Sequence, residues 1–236
     1  MMTPAMGMAQ SLARHSFLAG SSDAVLDKLA GQVRWIDAAP DQTIAEFEDE
    51  TTDVFLILQG NVRVLVRTAD GKRTQILGDF ATGDLVGEMS AIDNAPRSAR
   101  IEALVRTRLC VVPAAVFLAT VFASPSVSHR LMRLLAARIR GLNRRLLEVT
   151  ALPIRLRLAA ELLRLSRPRP DGSRSVSPPP IQEELADRIG TRRETVSREL
   201  SRLTEAGLLR RTQAAYVIDD PAALQAAIDA GLDQPV

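Results

Sequence analysis

The chain has a single cysteine, Cys110, and two histidines, His15 and His129, far apart in sequence. One thiol excludes an internal disulfide and cannot supply the several thiolates of an iron–sulfur cluster. Two distant histidines leave little from which to build a zinc or haem site. Cys110 lies in the apolar run Leu109-Cys110-Val111-Val112, so it reads as a small buried hydrophobe in a strand. Long hydrophobic runs are missing as well. The longest weakly polar stretch, 109–123, is interrupted by Pro113 and Thr120 and falls short of the ~18 residues of a membrane span. The amino terminus is rich in Met and Ala but lacks a charged segment ahead of a continuous apolar one, so a cytoplasmic protein is expected. No nucleophile–base pair, metal cluster or phosphate-binding Gly-Lys loop is visible, and no enzymatic activity is expected.

Lysine is nearly absent, two residues against 28 arginines, and charge is spread unevenly. Residues 1–129 carry 11 basic and 15 acidic side chains, residues 130–211 carry 19 and 9, and residues 212–236 carry none and four. The overall +2 therefore conceals a block of net +10 inside an otherwise acidic chain. Such a block is the footprint of a polyanion binder, although basic faces are often merely solvated. At 236 residues and 46% hydrophobic, the chain suits one large domain or two small ones with real cores.

From Val54 to Val112 the pattern is one of short strands, with Val62, Val64 and Val66 alternating with Arg63 and Arg67. Gly60-Asn61 and Asp70-Gly71 are tight-turn dipeptides expected to fold neighbouring runs into hairpins, and the whole suggests a barrel or roll. After Pro113 the pattern becomes helical. From Met132 an apolar seam recurs at alternating spacings of three and four: Met132, Leu135, Ile139, Leu142, Leu146 and Val149. This is a coiled-coil signature over about two and a half heptads; a helix packed on its own domain is the other reading. Leu131, Leu134 and Leu147 form a second apolar edge, so that one face packs inward while the other meets a twin subunit. Pro153 is suited to begin a new helix through Leu165, which puts a joint near Ala151 and Leu152. Arg167 to Pro180, with five prolines, Gly172 and three serines, reads as an exposed connection.

Ile181 to Leu209 holds two short helical patterns around Gly190. The first carries Ile181, Leu185 and Ile189, the second Val196, Leu200 and Leu203, which describes a helix-turn-helix. The second helix presents Arg193, Glu194, Ser197, Arg198 and Arg202 opposite its apolar face. Arg bonds bidentately to guanine, and Glu accepts from the cytosine amino group. Gly207 ends the helix, and Leu208 to Ile218 reads as a hairpin wing bearing Arg210 and Arg211 for phosphates. An ordinary helical pair with a charged outer face is the bland alternative. A second cluster, Gly83-Asp84-Leu85-Val86-Gly87-Glu88-Met89-Ser90 followed by Arg97-Ser98-Ala99, offers accessible backbone N–H, a carboxylate for a ribose hydroxyl, and an Arg beside a hydroxyl for an anionic phosphate.

The segment Gly190-Thr191-Arg192-Arg193-Glu194-Thr195-Val196-Ser197-Arg198 resembles the recognition segment of the cAMP receptor protein (CRP/FNR) family, and the Gly83–Ala99 stretch resembles that family's phosphate-binding cassette. The resemblance runs from about Leu12 to Ile218. It implies an α+β chain with an N-terminal β-roll of the cyclic-nucleotide-binding jelly-roll type (12–126), a long dimerisation helix and hinge (127–151), and a C-terminal winged helix-turn-helix (152–236). Carried over by position, Gly87 and Glu88 would hold ribose and phosphate, Arg97 and Ser98 the cyclic phosphate, with Met89 lining the same pocket. Arg193, Glu194 and Arg198 would read bases in a palindromic DNA site with GTGA-like halves. Arg192 stands where the family usually has a Ser or Thr helix cap; Thr191 is placed to cap instead, and its spacing to Glu194 would make a capping box that takes Glu194 from base readout.

Leu142 and Asn143 occupy positions where the family's cAMP sensor contacts adenine through a Thr and a Ser, one from each subunit. Leu142 is expected to pack against its twin. Asn143 either reaches the partner's pocket or is solvated, and its amide suits adenine and guanine alike. The resemblance thus implies a homodimeric, DNA-binding regulator with cAMP, or cGMP, as effector and no bound cofactor or metal. RNA polymerase is a further partner that the resemblance allows; the 167–180 loop lies where the family often contacts it, and its composition here says only that it is exposed, so the contact surface stays open. A regulator of this fold sensing something else or nothing remains the alternative, and a nucleotide-sensing subunit of an enzyme a third.

Overall fold

Residues 54–57 and 109–112 are apolar at every position, which requires both faces of each strand to be covered. The computed structural model describes residues 4–68 and 74–232 and shows the chain divided into two compact units, Met1–Ala137 and Arg138–Val236. In the first, helices α1 (Pro4–Ala13) and α2 (Asp23–Ala30) precede strands β1 (Arg34–Ala38), β2 (Thr43–Ala45), β3 (Val54–Gln59), β4 (Asn61–Arg67), β5 (Thr74–Ala81) and β6 (Leu85–Val86). Helix α3 (Glu88–Asp93) and strands β7 (Arg100–Ala103) and β8 (Thr107–Val112) follow, then helix α4 (Ala114–Ala123) and the long helix α5 (Pro125–Ala151) that continues into the second unit.

The strands form two four-stranded sheets, β1-β8-β3-β6 and β2-β7-β4-β5. Along β3, Phe55 and Ile57 join Val62, Val86, Ile101, Leu109 and Val111 in one core. The alternate residues Val54 and Leu56, with Cys110 and Val112 of β8, enter a second core with Leu12, Leu29, Phe117 and Val121 of the helices. Strand periodicity thus sorts one apolar run into two cores, each fully buried Leu, Ile or Phe contributing roughly 1.5–3 kcal/mol. Cys110 is the buried strand residue expected, and burial pushes its thiol up to about 12, so it stays protonated.

Two expectations are corrected here. Gly60-Asn61 does not close a hairpin: β3 and β4 lie in different sheets, and the turn carries the chain from one to the other. Gly60 has φ +95, and a Cβ there would lie 2.8 Å from the Arg106 carbonyl oxygen, so both backbone angle and space demand glycine. The Val62/Val64/Val66 alternation holds only in part: Val62 is buried and Val64 packs half-buried on the same core, but Val66 does not join them. Leu65 is buried as well, at the step where β5 carries one more residue than β4: Val64 faces Gly78 and Leu65 faces Ile76, with Leu77 between them. Asp70-Gly71 falls outside the described residues.

The second unit holds α6 (Ile154–Leu165), β9 (Arg167–Pro168), β10 (Arg174–Val176), α7 (Gln182–Ile189), α8 (Arg193–Glu205), β11 (Arg210–Arg211), β12 (Tyr216–Ile218) and α9 (Pro221–Leu232). Pro153 is the N-cap of α6 rather than its first residue. The stretch expected to be a plain exposed connection instead supplies β9 and β10, which extend the wing into a sheet of order β11-β12-β10-β9 and bury Val176. Helix α9 had no counterpart in the sequence reading. Leu224 and Ile228, one turn apart, enter the unit's core, and α9 approaches α6 so closely that a Cβ on Gly231 would lie 2.6 Å from the Leu156 side chain.

The architecture is the α+β arrangement of β-roll, long helix and winged helix-turn-helix. Among the described residues no helix is long and apolar enough to cross a membrane. Along α5, Leu131 is buried and Leu134 and Leu135 pack on the first unit's core, whereas Met132, Ile139, Leu142, Leu146 and Val149 are each more than half exposed. Leu147, expected on the inward edge, is exposed too, because within the second unit α5 has no apolar layer beside it at that turn.

Candidate effector pocket and DNA-reading surface

Strand β6 ends at Val86, and Gly87 turns the chain into α3 with φ +83 and ψ 8, a left-handed cap that favours glycine. A Cβ on Gly87 would lie 2.7 Å from Arg97 Nη1 and 3.0 Å from the Asp53 carbonyl oxygen. The missing side chain is what lets a guanidinium reach this backbone. Arg97 is 3% exposed and Glu88 1%. Arg97 donates from Nε to Thr51 Oγ1 at 3.2 Å, from Nη1 to the Gly87 carbonyl at 3.0 Å and from Nη2 to the Asp53 carbonyl at 2.7 Å, with its guanidinium carbon 5.3 Å from the Phe55 ring centre. Its backbone is clamped as well: Arg97 N–H donates to the Asp49 carbonyl at 2.8 Å, and Glu48 N–H to the Arg97 carbonyl at 2.9 Å.

Burial pulls the Arg97 pKa below its ordinary value, opposed by the charges of Asp53, Asp49 and Glu88. The Ser98 hydroxyl lies 3.8 Å from Met89 Sδ, and both residues are exposed at the mouth of this corner. The fold therefore brings together Gly87, Glu88, Met89, Arg97 and Ser98, eleven residues apart in sequence at their widest. Thr51, Asp53 and Phe55 complete the corner and were missed, since nothing local in 50–55 reveals which loop will face them. Leu142 and Asn143 belong to the second unit and are exposed on α5.

In the second unit, α7 ends at Gly190, which adopts φ 69 and ψ 48 and makes the sharp turn into α8. Val196, Leu200 and Leu203 are buried, while Arg193, Glu194, Arg198 and Arg202 are exposed and Ser197 is half-buried. Gln182 and Ser201 line the same groove as Arg193, Glu194, Ser197 and Arg198; neither was singled out from sequence. Arg192, not Thr191, is the N-cap of α8, and it makes no side-chain cap bond. The proposed capping box does not form. The reason is geometric: the Thr191 N–H donates to the Ala186 carbonyl at 3.0 Å, so Thr191 still belongs to the end of α7.

Arg202 pairs with Glu199 at 2.8 Å. On the wing, Arg210 binds Asp219 through two hydrogen bonds of 3.1 and 2.7 Å, which lowers the Asp219 pKa and raises that of Arg210. Arg211 lies 5.9 Å over the Tyr216 ring. A basic helix face flanked by wing arginines is suited to phosphates and base edges.

Comparison with known proteins agrees with this division. Residues 36–124 match the family model of the cyclic nucleotide-binding domain, and residues 156–227 that of the Crp-like helix-turn-helix domain. The chain is 26% identical over 216 residues to a CRP-like cAMP-activated global transcriptional regulator of Mycobacterium tuberculosis, covering 90% of this chain and 96% of that one. It is 36% identical over 157 residues to the cyclic AMP receptor protein of Thermus thermophilus, covering 66% of this chain and 70% of that protein. A CooA mutant from Carboxydothermus hydrogenoformans has the same fold, with TM-score 0.74 at 22% identity over 89% of this chain and 91% of that one. With a nucleotide-type roll and a Crp-like helix-turn-helix in one chain, and a relative of this identity over most of its length, the protein belongs to the CRP/FNR family of transcription regulators.

Proposed function

We propose that this chain is a homodimeric transcription regulator whose affinity for DNA is set by a cyclic nucleotide, cAMP ahead of cGMP. The observation that carries the reading is the state of Arg97. Its cation is buried against three neutral oxygens, with no carboxylate at ion-pair distance among the described residues, and two of the five N–H groups of a guanidinium are unspent. A phosphate anion completes such a corner, because a buried charge is stable when paired. Gly87, Glu88, Met89, Arg97 and Ser98 then form the nucleotide site, with Leu142 and Asn143 approaching the base.

DNA is read by Arg193, Glu194 and Arg198, with Thr191, Arg192, Ser197, Arg202, Arg210 and Arg211 beside them on phosphates and flanking edges, in palindromic sites with GTGA-like halves. The functional segments are 12–126 for the effector, 127–151 for dimerisation and 152–236 for DNA. Two relatives named for cAMP support the effector class. The exposed seam of α5 supports the dimer, since two such faces cover each other.

Calorimetry with cAMP and with cGMP, paired with fluorescence anisotropy on a palindromic GTGA site, tests the reading. Saturable binding of either nucleotide and a rise in DNA affinity are expected. A second reading, a regulator of the same fold without an effector, is favoured by the three protein acceptors Arg97 already holds. DNA binding indifferent to both nucleotides would establish it.

A further inference from the structure

Between residues 138 and 150, Glu148 alone is buried. Leu142, Leu146, Leu147 and Val149 around it are exposed, so α5 brings a charge, not a hydrophobe, into the second unit along this stretch. Both Glu148 carboxylate oxygens accept from Arg164 Nη2, at 2.8 and 2.7 Å, and Arg144 Nε lies 3.8 Å away on the preceding turn. Arg164 also donates from Nη1 to Glu161, one turn back on α6. Glu161 is 1% exposed and lies 3.5 Å from Arg188 Nη1, and Arg188 in turn binds Glu184 at 2.9 and 3.1 Å. Charges therefore run unbroken from the end of α5, across α6, to the last turn of α7. Arg188 stands two residues before Gly190, the turn that aims α8.

We propose that Glu148 is a positioning residue, and that the chain Glu148–Arg164–Glu161–Arg188–Glu184 is the ionic seat through which the end of α5 sets the placement of α7 and hence of the recognition helix. The proposal rests on the nucleotide-gated reading for its regulatory meaning. The physical argument is one of specificity. Buried ion pairs are often no more stabilising than apolar packing of equal volume, and their best-attested use is to fix a register. Breaking one partner leaves its neighbours charged and buried. Burial alone would lower the Arg164 pKa, yet Glu161 and Glu148 outweigh it and hold the guanidinium charged. A helix seated by such a chain has two discrete arrangements, seated or released, which is what coupling between distant sites requires.

The test is Glu148→Gln in the full-length protein, nearly isosteric but uncharged. Three quantities are read: nucleotide affinity by calorimetry, DNA affinity with and without cAMP by anisotropy, and hydrogen exchange of the α7 amides. The expected result is nucleotide affinity within about twofold of the parent, a loss of about fivefold or more in the ratio by which cAMP raises DNA affinity, and faster exchange at the last turn of α7. Glu148→Asp, which keeps the charge, should restore most of that ratio, and as the milder change it carries the same measurements if Glu148→Gln melts. A purely structural role would instead lower thermal stability and leave the ratio intact. An unchanged ratio, or unchanged α7 exchange, in a folded Glu148→Gln protein overturns the proposal. A parent protein unresponsive to both nucleotides refutes the gating, and α7 exchange then decides the ionic seat on its own.

Discussion

Arg97 Nη1 donates to the Gly87 carbonyl at 3.0 Å, and the same nitrogen would stand 2.7 Å from any Cβ on Gly87. The two residues therefore share one space, and a change at either is felt at the other.

Arg97→Ala removes the buried cation and is expected to weaken cyclic-nucleotide binding at least about tenfold, since charge-assisted bonds are worth roughly 1.5–3 kcal/mol each. Arg97→Lys keeps the charge but cannot span three acceptors, so it should recover little. Gly87→Ala, at φ +83 against the guanidinium, should cost about 1–3 kcal/mol of stability and displace Arg97. Calorimetric titration and thermal melts read these effects. Parent-like titration curves for Arg97→Ala would remove the pocket assignment.

Arg193→Ala and Arg198→Ala should each cost about 1–3 kcal/mol at one base pair per half-site and broaden the preferred sequence. Arg210 differs, because it is held by Asp219 and, in the proposed role, would exchange that carboxylate for a phosphate. Its replacement by Ala should weaken all DNA alike and reduce the salt slope by about 1. Selection from random DNA separates the two behaviours; the parent motif returned by the Arg193 and Arg198 variants would exclude base readout by those residues.

What sequence could show here was set by the range of the forces involved. The continuous apolar runs at residues 54–57 and 109–112, the glycine at 190 and the spacing of Val196, Leu200 and Leu203 are local, and each element was legible. The hairpin expected at Gly60 failed because a tight turn says where a chain reverses, not which sheet receives it. The proline-rich 167–180 stretch hid β9 and β10, since Pro168 sits on an edge strand, where proline removes no ladder bond. Helix α9 depends on Leu224, Ile228 and a close approach at Gly231, a tertiary fit with only a weak periodic signal. Two of the three acceptors of Arg97 lie 44 and 46 residues away in the chain, beyond any motif.

His15 is buried, its Nδ1 accepting from the Phe17 N–H at 3.4 Å and its Nε2 donating to the Asp84 carbonyl at 3.1 Å. The Nδ1 contact needs the neutral ring, and burial lowers the pKa below the ordinary 6.5, against smaller opposing contributions from Asp84. A depressed folded-state pKa gives stability that is complete above about 6.5 and declines as pH falls from there through the folded value. Urea melts from pH 7.5 to pH 5 should show this decline, and His15→Gln should flatten it (pH limits chosen about the ordinary value, ~6.5). Parallel pH profiles for the two proteins would assign the decline to other groups.

Leu142→Glu combined with Leu146→Glu places like charges along the exposed α5 seam and is expected to give a monomer in sedimentation analysis. Affinity for a palindromic site should fall with it, because two half-sites are then no longer bound as one unit. A stable dimer of the double variant would put the interface elsewhere.

Asn143 is exposed and flanks that seam, four residues after Ile139 and three before Leu146, so it shares their side of the helix. In the proposed dimer joined along the seam its amide lies at the edge of the interface, and the proposed function assigns it to the nucleotide base. An amide accepts from the adenine amino group and donates to the guanine carbonyl with equal ease, while Leu142 beside it offers no hydrogen bond at all. Discrimination between bases should therefore be weak: cAMP binds, and cGMP competes within about one or two orders of magnitude, or roughly 1.4–2.8 kcal/mol. Asn143→Ala should lower the affinity for both nucleotides and reduce their stimulation of DNA binding together if, as proposed, one side chain both meets the base and borders the seam. Competition calorimetry and anisotropy on the same preparations measure the two effects. An Asn143→Ala protein with parental affinity and parental stimulation would show that the amide is merely solvated on the flank of α5.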